Sequence, residues 1–115
     1  QIDSLNALTV ILCGAESLSR KFGLSMLEAL ANSITITINV DGLPKEETMT
    51  YIESRLSACG AKTPIFTKNA MELVHQASAG IMRTGGTIAN AALMKACMAK
   101  SQHVEAEHVQ AVIQR

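Results

Sequence analysis

The sequence is poor in aromatic residues, which make up 3% of its 115 residues, and it contains no tryptophan. It also lacks net charge, because ten basic residues balance ten acidic ones, and a neutral chain has no long-range field to attract nucleic acid or anionic lipid. No apolar run is long enough to cross a bilayer, and no basic leader precedes an apolar segment. These absences favour a cytoplasmic protein without a membrane partner, whose core is aliphatic and rich in methionine.

Cysteine and histidine do not form a recognisable ligand set. Cys13, Cys59 and Cys97 are an odd number, and none lies in a CxxC or Cys/His spacing. We therefore expect reduced thiols rather than a disulfide framework, with Cys13 and Cys97 as small core residues. Two of the three histidines are five residues apart, which does not place them on one helix face. We expect no metal site, and we expect His75 to be a partly buried polar residue.

The first forty or so residues are patterned as strand, helix and strand. Leu8–Leu12 is a short apolar run with β-branched residues, and Ile34–Val40 alternates apolar and polar residues with a period of two. Between them, apolar residues recur at helical spacing from Glu16 to Ala31, with a possible break at Gly23. This order predicts a βαβ remnant of a parallel α/β sheet.

The remainder of the chain is patterned as helix. Pro44 suits a first helical turn, Thr67 suits an N-cap, and Gly60 and Gly80 suit helix ends. Four helices are predicted, with these approximate bounds: Pro44 to Gly60, Thr67 to Gly80, Thr87 to Lys100, and Glu105 onward. The expected fold is therefore mostly α, with a division between residues 1–42 and residues 43–115.

Several strings in this order resemble the carboxyl-terminal half of the ExeA-type AAA+ ATPases. They are GLPKEET with YIESRLSACG, then PIFTKNAMELVHQASAGIMR, then HVEAEHVQA. The most specific pieces are Pro64–Thr67, the corner Ala79–Arg83 and the closing helix at His108-Val109, and the resemblance extends from about Leu8 to Val112. It implies that residues 1–42 are the end of a P-loop nucleotide-binding core and that residues 43–115 are a helical lid.

The resemblance also implies which residues meet the nucleotide. Arg83 matches the sensor-2 position, where an arginine at a lid-helix start reaches the phosphates. Gly14 and Ala15 match the region of sensor 1. A guanidinium is always charged and pairs well with phosphate oxygens, and a helix start adds N–H donors. Because such an arginine reaches phosphate only when the lid is closed, it links the lid position to the nucleotide state.

The string Arg83-Thr84-Gly85-Gly86-Thr87 has two interpretations. Two glycines in a first helical turn cost roughly 1 kcal/mol each relative to alanine, which favours a loop that delays the helix until Thr87. Alternatively, the glycines form a backbone nest for phosphate, to which Thr84 and Thr87 add hydroxyls.

Four methionines have two interpretations of the same kind. They are predicted to fill the core of a bundle that is poor in aromatic residues. Alternatively, they line an adaptable protein-binding surface. These residues are Met71, Met82, Met94 and Met98.

The chain departs from the family pattern at three places. Ala15 stands where the family tends to have glutamine, and Met82 stands where it has proline. Asn32-Ser33 replaces a Gln-Arg pair whose arginine acts as a finger toward a neighbouring subunit. Loss of a finger removes a large contribution to phosphoryl transfer. We therefore expect either a weak ATPase or substitution by Arg20 or Lys21.

The sequence contains no GxxxxGK[ST] loop and no hydrophobic run that ends in paired carboxylates. ATP therefore has no phosphate-cradling loop here, and Mg²⁺ has no acidic ligand. We expect the parent protein to carry both before Gln1. This chain should be inactive alone and should bind no cofactor tightly.

Three functions are compatible with the resemblance. The first is the lid of an ATP-dependent DNA transposition helper, toward which the closing HVEAEHVQA without a membrane segment points. Its partners would be a transposase and DNA bound through the missing core. The second is the same portion of a general secretion pathway ATPase, and the third is a non-catalytic helical interaction module. The two predicted strands would leave unpaired edges, so we expect a dimer or strand-swapped assembly of this fragment, and a ring or filament of the parent.

Overall fold

A computed structural model describes residues 8–114, apart from the side chain of Ser25. These residues divide into two compact units, one up to Asn39 and the other from Val40 onward. The first seven residues of the predicted amino-terminal domain, and the last residue of the chain, lie outside the described residues. The predicted division into residues 1–42 and 43–115 concerns a core fragment and a lid, and it stays a prediction.

The first unit contains short helical segments. Helix α1 spans Glu16–Lys21, a 3-10 turn spans Ser25–Leu27, and helix α2 spans Glu28–Asn32. The chain turns at Gly23, whose N–H donates to the carbonyl oxygen of Arg20 at 3.1 Å. The predicted break of the Glu16–Ala31 helix at Gly23 is therefore confirmed.

The two predicted strands are not formed. Leu8–Leu12 and Ile34–Val40 have no strand structure, and the side chains of Ile36 and Ile38 are 76% and 78% exposed. The prediction of a βαβ remnant is therefore wrong for the described residues. The physical reason is that strands are stabilised by hydrogen bonds to neighbouring strands and by cover on both faces of a parallel sheet. The period-two pattern indicates that Ile34–Val40 could pair as a strand. Pairing also requires neighbouring strands and a covering layer, which a local pattern does not provide.

The second unit is a helical bundle. Helix α3 spans Lys45–Ala58, α4 spans Lys68–Ser78, α5 spans Met82–Met98 and α6 spans Ala106–Ile113. Helix α4 packs against the other three, and α5 also packs against α3 and α6. The prediction of a mostly α fold with a helical bundle is confirmed.

The core of the bundle is aliphatic, with one phenylalanine. Val74, Val104 and Val109 are its largest fully buried side chains. The core also contains residues from loops. Phe66 and Val104 come from the loops before α4 and α6, and they pair as an isolated parallel bridge. Its buried members are Ile52, Phe66, Ala70, Met71, Val74, Ala92, Ala96, Val104 and Val109.

The helix ends follow the local residues. Thr67 caps α4, since its Oγ1 accepts the N–H of Ala70 at 3.2 Å. Gly60 follows α3 with φ of +101°, and Gly80 follows α4 with φ of +79°. These three predicted end positions are confirmed.

Helix α5 begins at Met82, not at Thr87, so the predicted loop over Arg83–Thr87 is wrong. Gly85 is buried in the first turns of α5, where a Cβ would lie 3.4 Å from Ser78 Oγ and 3.9 Å from Val74 Cγ1. Gly85 therefore lies in van der Waals contact with α4, and the tertiary packing of α5 in the bundle outweighs the low helix propensity of glycine.

The methionine prediction holds at one position only. Met71 is buried in the core, whereas Met82, Met94 and Met98 are 48%, 60% and 76% exposed. On α5 the buried core positions are taken by Ala92 and Ala96 instead, and Ile88 and Leu93 pack partly buried against the same core.

The cysteine prediction is also partly wrong. Cys13, Cys59 and Cys97 are free thiols, but all three are exposed. The core positions expected for Cys13 and Cys97 are therefore incorrect. For Cys97 the reason is helical phase, since its neighbour Ala96 faces the core of the bundle instead.

Candidate functional site

Arg83 lies in the first turn of α5, with its side chain exposed. Among the described residues it takes part in no ion pair. An unpaired guanidinium retains all of its N–H donors for an external acceptor. Helix α5 therefore presents a fixed positive charge at its amino-terminal end.

The start of α5 has no side-chain cap. Its N-cap is Ile81, whose apolar side chain accepts no hydrogen bond, and the first bond into the helix runs from the N–H of Gly85 to the carbonyl oxygen of Ile81 at 2.8 Å. The N–H groups of a first helical turn have no partners within the helix. Together with the helix dipole, they favour an anion at this end.

The turn before α5 is held by Ser78, which is 3% exposed at the end of α4. Its Oγ accepts the N–H of Gly80 at 3.3 Å and donates to the carbonyl oxygen of His75 at 3.3 Å. Its own carbonyl oxygen accepts the N–H of Ile81 at 3.0 Å. Ser78 thus fixes the turn that leads directly into the first residues of α5.

Gly14 and Ala15 lie in an exposed segment of the first unit, and Ala15 is the N-cap of α1. Ala15 makes no side-chain hydrogen bond to the helix. A Cβ at Gly14 would lie 2.7 Å from Leu18 Cδ2, so the leucine side chain covers this glycine. The roles of Gly14 and Ala15 beside a nucleotide stay predictions.

The residues at the expected arginine-finger position, and the two cations that could substitute for the finger, also lie in the first unit. Asn32 is the last residue of α2, and the hydroxyl of Ser33 donates to the carbonyl oxygen of Ala29 at 3.1 Å. Arg20 and Lys21 end α1 with exposed side chains. Whether either cation acts toward a neighbouring subunit stays a prediction.

The histidines have structural contacts. His75 is half-buried, as predicted, and its Nδ1 shares a hydrogen bond of 3.0 Å with the hydroxyl of buried Thr48. His108 is 8% exposed, and its Nδ1 accepts the N–H of Glu105 at 3.0 Å. In residues 8–114 no group of three His, Cys, Asp or Glu residues is arranged to hold a metal ion.

None of the helices in the described part of the chain combines the length and the apolar character that a membrane span requires.

Three structural roles near α5 were missed by the sequence reasoning. They are the packing of Gly85 on α4, the cap that His108 gives to α6, and a backbone contact between Gly42 and Gly80. The second has a local signal, because the residue three positions after an N-cap is where capping boxes place a polar side chain. The other two join residues that are distant along the chain, and no local pattern marks them.

The described residues thus define a class of structure: a small helical bundle in which an uncapped helix start carries an exposed arginine. The chain is 31% identical over 103 residues to General secretion pathway protein A of Aeromonas hydrophila, and the alignment covers 90% of this chain and 19% of that protein. The chain is therefore related to the ExeA-type proteins, and it spans about a fifth of the length of this curated relative. No known protein-family model and no solved structure matches the chain.

Proposed function

We propose that this chain is the lid and sensor portion of an AAA+ ATPase, in which Arg83 couples nucleotide state to lid position and subunit contacts. The observation that carries the proposal is the exposed guanidinium of Arg83 in the first turn of an uncapped helix. The relation to an ExeA-type protein over most of the chain supports the same assignment.

The chemistry of this helix start suits phosphate. The Arg83 guanidinium supplies charge and up to two parallel N–H donors, and the first-turn N–H groups add further donors along the helix dipole. The sequence contains no phosphate-cradling loop and no paired carboxylates that would hold Mg²⁺. ATP and Mg²⁺ would therefore be bound by other segments of the full-length protein, and Arg83 would contact a phosphate that those segments hold.

This arrangement gives Arg83 a sensing role and no bond-making role. The guanidinium gains its phosphate contact only when the helical unit closes on the nucleotide. By linkage, the nucleotide then stabilises the closed state by the free energy of that contact. Hydrolysis or release removes the contact and frees the unit to move.

The first experiment substitutes Arg83 in the full-length protein. A charge-assisted hydrogen bond contributes about 1.5–3 kcal/mol, so Arg83→Ala should weaken nucleotide binding roughly 10- to 100-fold, measured by isothermal titration calorimetry. Arg83→Lys should recover part of the affinity, because it retains the charge without the planar donor pair.

A matched control is Arg55→Ala, which removes an exposed arginine from the last turn of α3. It should leave nucleotide affinity and ATP turnover as they are. Equal behaviour of Arg83→Ala and Arg55→Ala would show that the sensing proposal is wrong.

Among the more specific functions, we favour a secretion-pathway ATPase, because the relative's name refers to general secretion. The transposition-helper interpretation, with a transposase partner and DNA bound through the core, gains no support from this comparison. The two interpretations differ in one measurable property. A transposition helper should show ATP turnover that rises when DNA is added, whereas a secretion-pathway ATPase should not respond to DNA. A protein that binds no nucleotide at all would instead be a helical interaction module.

A further inference from the structure

Two glycines that are distant in sequence meet just before α5. A Cβ added at Gly42 would lie well inside contact distance of the Ala79 carbonyl oxygen and 3.1 Å from the carbonyl carbon of Gly80. A Cβ added at Gly80 would clash with the Leu43 carbonyl oxygen and lie 2.6 Å from the Leu43 nitrogen. Because each glycine faces the other's backbone, a side chain at either position would push the two segments apart.

A hydrogen bond joins the same two segments. The N–H of Leu43 donates to the carbonyl oxygen of Gly80 at 2.8 Å. Gly80 also has φ of +79°, a left-handed conformation that glycine adopts without strain. The segment Gly42-Leu43, which we call the lead-in segment, is therefore attached backbone to backbone to the turn between α4 and α5.

This attachment continues to the start of α5. The N–H groups of Gly80 and Ile81 both bond to Ser78, and the N–H of Gly85 bonds to the carbonyl oxygen of Ile81 at 2.8 Å. Gly85 in turn packs against the Ser78 side chain. Arg83 thus lies between Ile81 and Gly85, and both residues are tied to the turn that the lead-in segment contacts.

We propose that Gly42 and Gly80 are positioning residues: their contact fixes the start of α5, and it transmits displacement of the lead-in segment to Arg83. The proposal rests on the nucleotide-sensing role proposed above for Arg83. Backbone-to-backbone contact suits such transmission, because no flexible side chain lies between the segments to absorb the displacement. A mere spacer between helices would require neither glycine.

The contact itself is tested in the 115-residue chain by amide hydrogen exchange. Gly42→Ala should speed exchange of the Leu43 amide at least about tenfold, because the hydrogen bond opens when the segments separate. It should also shift the amide resonances from Ile81 to Thr84. The matched control is Gly86→Ala, since a Cβ at Gly86 has no neighbour within 4 Å. It should not speed Leu43 exchange.

A second pair of variants separates crowding from backbone strain. Asparagine tolerates positive φ better than most residues, so Gly80→Asn chiefly adds the clash with Leu43. Gly60→Asn is its control, because Gly60 also has positive φ, at +101°, but no neighbour within 4 Å. Only Gly80→Asn should speed hydrogen exchange of the Leu43 amide.

If a variant unfolds, the native chain still provides the test: absence of a through-hydrogen-bond coupling from the Leu43 amide to the Gly80 carbonyl would overturn the contact.

The positioning role is tested in the full-length protein by a double-mutant cycle on nucleotide affinity. In the native protein, Gly42→Ala should weaken nucleotide binding about 3- to 10-fold. In a protein that already carries Arg83→Ala, it should have little further effect, because the effects of substitutions at coupled residues are not additive. Full additivity would overturn the positioning role, since a general loss of structure weakens both backgrounds equally. If Arg83→Ala alone has no effect, the sensing proposal fails, and the exchange experiment still decides whether the contact exists.

Discussion

Glycine residues in the helical unit have different roles that their identity alone does not reveal. Gly85 lies against Ser78 and Val74, Gly80 adopts positive φ against the lead-in segment, and a Cβ added at Gly86 would meet nothing within 4 Å. A glycine can therefore serve close packing, a turn, or neither. Only the three-dimensional neighbours distinguish these cases.

Gly86→Ala should stabilise the helical unit. Gly86 lies inside α5, and a Cβ there meets nothing within 4 Å, so alanine introduces no clash. Alanine is favoured over glycine in a helix interior by about 1 kcal/mol, and the free energy of unfolding should rise by about that amount. Urea unfolding followed by circular dichroism measures it. Gly85→Val is the contrasting variant: its extra methyl groups would meet Ser78 and Val74, so it should destabilise the unit.

At the scale of the element, helices α4 and α6 are each defined by a cap. Thr67 caps α4 through its hydroxyl, and Glu105 and His108 form a reciprocal capping box at α6. Because Glu105 N–H donates to His108 Nδ1, that nitrogen acts as an acceptor. The loops before the two helices are also joined, since Val104 N–H donates to the carbonyl oxygen of Ile65 at 2.8 Å. Capping and loop pairing together set where both helices begin.

Thr67→Ala should lower the free energy of unfolding of the helical unit by about 1 kcal/mol, the usual contribution of an N-cap hydroxyl. Thr67→Ser retains the acceptor and should retain most of the stability. Thr50→Ala is the control, because the exposed Thr50 hydroxyl bonds only to the carbonyl oxygen of Glu46 within the same helix. A Thr67→Ala chain whose urea midpoint of unfolding equals that of the native chain would contradict the capping role.

Element boundaries were predicted well where a local signal exists. Thr67, Gly60 and Gly80 mark ends that depend on side-chain capping or positive φ, and both are properties of single residues. The start of α5 was predicted too late, because glycine has a low helix propensity, whereas the packing of α5 against the other helices stabilises the helix from Met82 onward. Such packing depends on residues that are far away in sequence.

For the whole molecule, the most unusual feature is the apolar surface of residues 36–40. Ile36, Ile38 and Val40 are 76%, 78% and 94% exposed, and they alternate with polar residues along a segment that has neither helix nor strand structure. Alternating apolar residues with free backbone groups favour pairing with another strand. We therefore retain the prediction that this chain self-associates.

The self-association prediction is tested by light scattering at micromolar concentration, where we expect a dimer or larger assembly. Ile38→Lys places a charge among the exposed apolar side chains and should shift the chain toward monomer. Thr37→Lys adds the same charge at the alternate position and should have the smaller effect. A native chain that stays monomeric at this concentration would contradict the prediction.

The two parts of the candidate site differ in how far the sequence indicates them. Arg83 came from the family resemblance, and the structure places it in the first turn of α5 with its side chain exposed. The Gly42–Gly80 contact is evident only in the three-dimensional structure, because these glycines are 38 positions apart in the sequence. A lone glycine carries no information about which backbone segment it meets.

The sequence by itself determined the helical class of the bundle, the break at Gly23 and the cap at Thr67. These features follow from side-chain periodicity and from the conformational preferences of single residues. Only the tertiary structure decided that α5 begins at Met82, that three predicted core methionines are exposed, and that Ile34–Val40 is not a strand. In each of these cases the outcome depends on whether residues that are distant in sequence pack against or pair with the segment. A local sequence pattern contains no information about those residues.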